Sequence, residues 1–288
     1  MIKKILITGE NSYIGNKLTQ WLANEPEKYE IVKKSVRDDK WKYIDLSEFD
    51  VVVHVAGIAH QDTKADQEEL YYKINTDLTI DIAKKAKAEG VKQFIFMSSM
   101  IVYGGSSKIG ETKEITKQTI PKPINFYGNS KLLAEKGILP LQSNIFDIVI
   151  IRPPMIYGKE SKGNYPLLAK FAKISPIFPD IENQRSMLYI DNLTEFIKLL
   201  IDNNEKGYFF PQNNEYVKTS NFVFLIATAN GKKIKLIKLF NPILNNLGKN
   251  IGFVNKVFGN LLYDKELSKY KKNYNVNSLE ESIKSTEK

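Results

Sequence analysis

Two groups of residues have types and spacings suited to chemistry. The first is Thr8-Gly9-Glu10-Asn11-Ser12-Tyr13-Ile14-Gly15. It follows a short apolar run, Ile5–Ile7, and opens a helical pattern that continues to about Asn24. A strand, a tight turn and a helix start form half of a dinucleotide-binding unit. Backbone N–H groups at a helix N-terminus point at a pyrophosphate, and the helix dipole favours its charge. This places Gly9, Ser12, Tyr13, Ile14 and Gly15 at the cofactor. Gly9 permits the sharp turn, and Gly15 lets helix and strand pack closely. Ser12 stands where the usual middle glycine falls, and its Cβ makes the closest approach to phosphate harder. The second group is Tyr127 and Lys131. They are four residues apart, so on a helix they share one face.

The intervening segments supply the elements that position these groups. Glu30–Val36 reads as the second strand and runs into Arg37, Asp38 and Asp39. At that point an acidic residue bonds the ribose of NAD, whereas an arginine takes the 2′-phosphate of NADP. Arg37 therefore predicts NADP, and Asp38 keeps NAD open. Asp45 and Leu46 are expected near the adenine. Asp50–Gly57 is a third buried strand, and Val55, Ala56 and Gly57 let a cofactor pass close to the chain. His54 is read as a packed histidine, and His60 falls in a polar loop that borders the site. Asp66–Glu89 reads as one amphipathic helix with Leu70, Ile74, Leu78, Ile82 and Ala86 on its apolar face. Gln93–Met97 and Phe146–Ile151 are further strands, leading into Ser98–Gly104 and Arg152–Gly158. This alternation predicts an α/β fold, a doubly wound parallel sheet of Rossmann type. Beyond Gly158 the segments are shorter and punctuated by proline.

Composition sets further bounds. The chain has 288 residues, 42% of them hydrophobic and 26% charged, with no cysteine and two histidines. Disulfides, zinc–thiolate sites and cysteine nucleophiles are excluded, and no metal site is expected. No apolar run has the length of a membrane span, and the first strand begins at the N-terminus without a signal peptide. A cytoplasmic protein is the expectation. The net charge of +9 comes from scattered lysine, with three arginines only. Two of those, Arg152 and Arg185, sit in motifs, so a phosphate-bearing small ligand is expected and nucleic acid is not. Leu236–Leu262 is apolar and flanked by lysine, but Pro242, Gly248, Gly252 and Gly259 break it. It reads as a lid or interface packed on the body, not as a membrane-surface helix.

Taken in order, TGxxSxxG at Thr8–Gly15, HVAG at His54–Gly57, SSMIVYG at Ser98–Gly104, YGNSK at Tyr127–Lys131, RPPMIYG at Arg152–Gly158 and RSMLYIDNL at Arg185–Leu193 resemble the extended short-chain dehydrogenase/reductase family. That family comprises nucleotide-sugar epimerases, dehydratases and reductases. The resemblance implies a Rossmann domain over 1–158, with 185–205 returning to it, and a small C-terminal substrate lobe from 159–184 and 206–288. It implies Tyr127 as acid/base, Lys131 as its cationic partner and ribose ligand, and Ser99 as the hydroxyl that bonds the reacting sugar oxygen. A free tyrosine has a pKa of about 10, so only roughly one in a thousand is ionised at pH 7, and a nearby cation raises that fraction. Asn75 matches a supporting helix asparagine, Pro154 adds to the cofactor site, and Arg185 matches the ligand of the substrate's diphosphate.

The same resemblance implies NADP or NAD as cofactor, a UDP-linked sugar as substrate and a homodimer built on the helices at 66–89 and 126–136. Met100 and Ile101 stand where the 4,6-dehydratases carry an acidic pair, so that reaction is rejected. What remains is hydride transfer at sugar C4, by a 4-keto reductase or a 4-epimerase. The alternative is a relative that binds NADP as a sensor or scaffold without catalysis.

Overall fold

The apolar runs of the sequence become strands of one sheet. The computed structural model describes residues 2–59, 65–248 and 252–288. Six strands, β1 (Lys3–Thr8), β2 (Tyr29–Lys34), β3 (Val51–His54), β4 (Gln93–Met97), β5 (Asp147–Ile151) and β6 (Gly207–Phe209), pair in parallel in the order β6-β5-β4-β3-β1-β2. Continuous apolar strands require cover on both faces. Accordingly Ile5, Ile7, Val52, Val53, Phe94, Ile95, Ile148 and Ile150 have almost no exposure. The covering helices include α1 (Tyr13–Leu22), α2 (Leu78–Ala88) and α3 (Phe126–Ile138).

Packing divides the chain into two units, residues 1–104, 121–153 and 193–211 in the first, and 105–120, 154–192 and 212–288 in the second. These boundaries depart from the sequence expectation for identifiable reasons. Residues 105–120 fall in the second unit because Glu114–Ile115 pairs with Leu262–Tyr263. Residues 154–158 do so because Met155–Tyr157 pairs with Met187–Tyr189. Residues 206–211 join the first unit because β6 extends its sheet. The second unit also pairs Ile177–Pro179 with Lys235–Ile237. Its core gathers Tyr157, Tyr165, Tyr189 and Phe222 in ring contacts. Among the described residues no helix is long and apolar enough to cross a membrane.

The segment read as one helix from Asp66 is interrupted. A short helix at Glu68–Tyr71 passes into a π-helical turn, Tyr72–Asp77, before α2 begins. The wider turn rotates the face that follows. Leu70, expected inside, is 46% exposed, and Tyr71 is buried in its place. His54 is packed as expected. Its ring bonds Thr8 and Thr79 and stacks near Phe94, and burial pushes its pKa down to about 3. His60 lies outside the described residues.

One ion pair fastens α3 to the sheet. Glu135, on α3, and Arg152, just past β5, are both buried. The Arg152 Nε and Nη2 donate to the two carboxylate oxygens at 3.0 and 2.5 Å. Nη1 donates to the Tyr103 hydroxyl at 2.6 Å, and the Ser98 hydroxyl donates to Glu135. The guanidinium also lies 4.5 Å from the centre of the Tyr208 ring. Burial alone disfavours the guanidinium charge, but Glu135 more than offsets it and raises the Arg152 pKa. This motif arginine is therefore committed within the fold, not offered to a phosphate. Removing one partner of such a pair leaves an uncompensated buried charge. Arg152→Met is expected to destabilise the protein by about 3–5 kcal/mol, read as a lower denaturant midpoint. An unchanged midpoint would show that the pair does not hold α3.

Candidate active site

The first turn of α3 carries the candidate catalytic residues. Asn125 caps the helix, its side-chain oxygen accepting from Gly128 N–H at 2.8 Å, and Tyr127 and Lys131 follow on one face. Gly128 lets this turn approach the Ser99 segment. A Cβ there would lie 2.9 Å from the Ile101 carbonyl oxygen. Ser99 caps the short turn Met100–Tyr103, accepting from Ile101 N–H at 3.3 Å. Ser99 and Tyr127 are thereby brought together. Burial pushes the Tyr127 hydroxyl up to about 12, while a hydrogen bond with Ser99 pulls the other way. Tyr127 is thus held protonated at neutral pH.

Lys131 is buried, and its Nζ donates to the Met97 carbonyl at 2.9 Å and lies 4.7 Å from the centre of the Phe96 ring. Burial draws its pKa down to about 8, against the opposing pull of Glu135 one turn on. The expected pull of Lys131 on the tyrosine is not what sets Tyr127. Burial dominates there, followed by the hydrogen bond with Ser99 and the charge interaction with Tyr71.

Several of the expected cofactor residues, Gly9, Gly15, Val55, Ala56 and Gly57, lie close together. Gly9 has φ +94°, and a Cβ on it would sit 3.1 Å from Ala56. A Cβ on Gly15 would meet Val55 Cγ2 at 3.3 Å. The turn after β1 and the end of β3 therefore touch through small residues. The Ser12 hydroxyl caps α1, accepting from Gly15 N–H at 2.9 Å. The first turn of α1, with Tyr13 and Ile14, carries no acidic residue that would repel an anion. A Cβ on Gly57 would lie 2.9 Å from Asn75 Oδ1 and 3.2 Å from Lys131 Nζ. These close approaches fit a dinucleotide laid across the ends of β1 and β3.

Several expected residues have other duties. Asn75 sits in the π-helical turn, fully buried, and its amide clamps Ile58 N–H and C=O and Ser130. It shapes the loop after β3 and the seat of α3; it does not present a free amide. Leu46 is in the core, with its N–H on Glu89, and the Asp45 carboxylate accepts from Ser47. Asp38 caps the turn Asp39–Tyr43, whereas Arg37 is exposed beyond β2. Pro154 and Arg185 belong to the second unit. Arg185 is nearly buried, and its Nη1 donates to Ser106 Oγ and the Gly259 carbonyl at 3.1 and 2.8 Å. No carboxylate pairs with it among the described residues, and burial draws its pKa down to about 10. A guanidinium so placed is suited to an anionic ligand. Glu135 escaped the sequence reading. Its signal is a carboxylate four residues after Lys131, among the inward positions Ala134 and Ile138.

Comparison with known proteins identifies the family. The pattern of the NAD dependent epimerase/dehydratase family matches residues 5–210. A UDP-glucose 4-epimerase of Vibrio cholerae is 32% identical over 250 residues, covering 79% of this chain and 71% of that protein. An N-acetyl-α-D-glucosaminyl-diphospho-ditrans,octacis-undecaprenol 4-epimerase of Escherichia coli O157:H7 is 30% identical, covering 72% of this chain and 66% of that protein. Among solved structures, a dTDP-4-dehydrorhamnose reductase of Bacillus anthracis in complex with NADP superposes with a TM-score of 0.67 at 21% identity, over 84% of this chain and 86% of that one. The chain is an enzyme of the NAD-dependent epimerase/dehydratase family, an extended short-chain dehydrogenase/reductase whose cofactor is NAD or NADP.

Proposed function

We propose that this enzyme reduces the C4 ketone of a diphosphate-linked sugar, with NADPH as the source of reducing equivalents. The observation that carries the reading is the placement of a half-buried Tyr127, bonded to Ser99, on the same helix as the buried Lys131. A protonated phenol beside a hydroxyl suits a carbonyl that must gain a proton. Ser99 orients the ketone oxygen, Tyr127 delivers the proton to it, and the nicotinamide, when bound, supplies the hydride. Lys131, one helical turn on, offers positive charge that stabilises the phenolate left when the proton is delivered. Arg185 takes the diphosphate of the substrate. The exposed Arg37, with Asp38 committed to a cap, supports NADP over NAD. Met100 and Ile101 after Ser99 offer no proton-transfer group for elimination of water. A second reading, epimerisation at C4 with retained NAD, is supported by the names of the two curated relatives and uses the same three side chains.

The direct assay supplies a UDP-linked 4-keto-6-deoxy sugar with NADPH or NADH and follows the nicotinamide absorbance. Consumption of NADPH in proportion to sugar is expected, and Tyr127→Phe should lower it by about 10²–10⁴-fold while cofactor binding persists. Turnover unchanged by that substitution would remove Tyr127 from the chemistry. Sugar interconversion without net consumption would favour the epimerase.

The pH dependence follows from Lys131. Its pKa in the free enzyme lies near 8, so its charge is present below that pH and lost above it. The value of kcat/KM should therefore fall as pH rises through about 8. Lys131→Arg should move that limb to higher pH, whatever its cost in rate. A limb that stays in place would assign it to another group.

A further inference from the structure

The chain carries its positive charge unevenly. Residues 161–179 and 216–263 contain ten lysines and neither aspartate nor glutamate, which exceeds the whole net charge of +9. Both segments lie in the second unit, and the pairing of Ile177–Pro179 with Lys235–Ile237 sets them side by side. Two of these lysines are held by neighbouring acids, Lys173 by Glu287 and Lys218 by Asp180 and Glu182. Lys170, Lys232, Lys233, Lys235 and Lys238 are exposed and hold no ion pair among the described residues.

The same segments present apolar side chains that the fold does not bury. On the helix Asn164–Ile174, Phe171 is 47% and Ile174 is 70% exposed. After the strand Lys235–Ile237, Leu239 is 78% exposed, and the exposed Phe240, Ile243 and Leu247 recur at the spacing of one helical face. Phe171 and Phe240 both line one apolar groove, so the two elements are neighbours. That groove shares a wall with the Arg185 cavity and is left to the substrate; Ile174, Leu239 and Ile243 do not line it. The sequence reading packs Leu236–Leu262 on the body. Its far end does so, with Phe258, Leu261 and Leu262 buried, but its near end turns Leu239 and Ile243 outward. Apolar side chains gathered on one surface mark a contact.

Charge and apolarity together select the partner. A second copy would set the same lysines against themselves, because a two-fold interface repeats one patch on both sides. Nucleic acid would neutralise the lysines but leave the protruding isoleucine and leucine side chains without apolar cover. An anionic bilayer satisfies both. Lysines rest among its headgroups while apolar side chains enter the boundary between headgroups and acyl chains. We infer that this face of the second unit docks the enzyme on the surface of an anionic phospholipid membrane. The contact is peripheral, and the inference is independent of the sugar chemistry proposed above.

The test co-sediments the full-length protein with vesicles of phosphatidylcholine alone and of an equimolar mixture with phosphatidylglycerol. Affinity for the mixed vesicles should be at least about tenfold higher. It should fall at least about tenfold between about 0.1 M and about 0.5 M salt, since exposed charges are screened. Lys235→Gln with Lys238→Gln, and separately Leu239→Ser with Ile243→Ser, should each weaken binding to the mixed vesicles at least about fivefold. Lys269→Gln with Lys272→Gln removes two exposed lysines of the same unit beside Glu266, and should change binding by less than about twofold. Unaltered circular dichroism would show that the three variants remain folded. Equal affinity for the two kinds of vesicle would overturn the proposal. So would equal losses in all three variants, which would trace the binding to net charge alone. Binding to a DNA duplex that both face variants lose, with their vesicle binding unchanged, would give the face to nucleic acid instead.

Discussion

The geometry of the candidate site depends on a charge that cannot be left alone. Glu135 lies almost without exposure on the inner face of α3, and a carboxylate there is tolerable only with a cation in contact. Arg152 provides that cation with two parallel hydrogen bonds. Because Arg152 follows β5 and Ser98 follows β4, the pair ties α3 to the ends of two neighbouring strands. Tyr127 and Lys131 occupy the same helix, two turns and one turn before Glu135, and Ser99 follows Ser98. The ion pair thus fixes the relative position of the three groups proposed to do the chemistry, and takes no part in that chemistry itself.

The same buried setting explains the protonation states. Burial disfavours every charged form near α3, raising the tyrosine and lowering the lysine. The pair is thereby held as phenol and ammonium, with the ammonium close to the limit of its stability. Among the described residues, Glu135 is the carboxylate that opposes the loss of charge on Lys131. The negative end of the Arg152 pair therefore serves both packing and electrostatics. A phenol poised to give up a proton beside a cation is the arrangement a ketone reduction requires.

Much of this was legible in the sequence. Apolar runs ending at glycine or serine marked the strands, because a parallel sheet covered on both faces needs uninterrupted apolar side chains. The Tyr127–Lys131 spacing put both residues on one face of a helix, and both lie on α3. What the sequence could not show were effects of tertiary packing. The π-helical turn at Tyr72–Asp77 leaves no periodic signature, so Leu70 was placed inside and Tyr71 was missed. Arg152 carried the pattern of a phosphate ligand, and only the position of Glu135 shows where its charge is spent. Asn75 resembled a site residue, yet its amide is consumed by Ile58 and Ser130. The domain boundaries shifted because two-residue and three-residue strands, such as Glu114–Ile115, carry too few side chains to announce a pairing 148 positions away.

The most direct measurement follows the hydride itself. The enzyme would be given a 4-keto sugar diphosphate and NADPH carrying deuterium on the transferable position, and the product examined by NMR. The account requires deuterium on C4 of the reduced sugar, on a single face. Deuterium on another carbon, or a product formed with the label still on the nicotinamide, would contradict it.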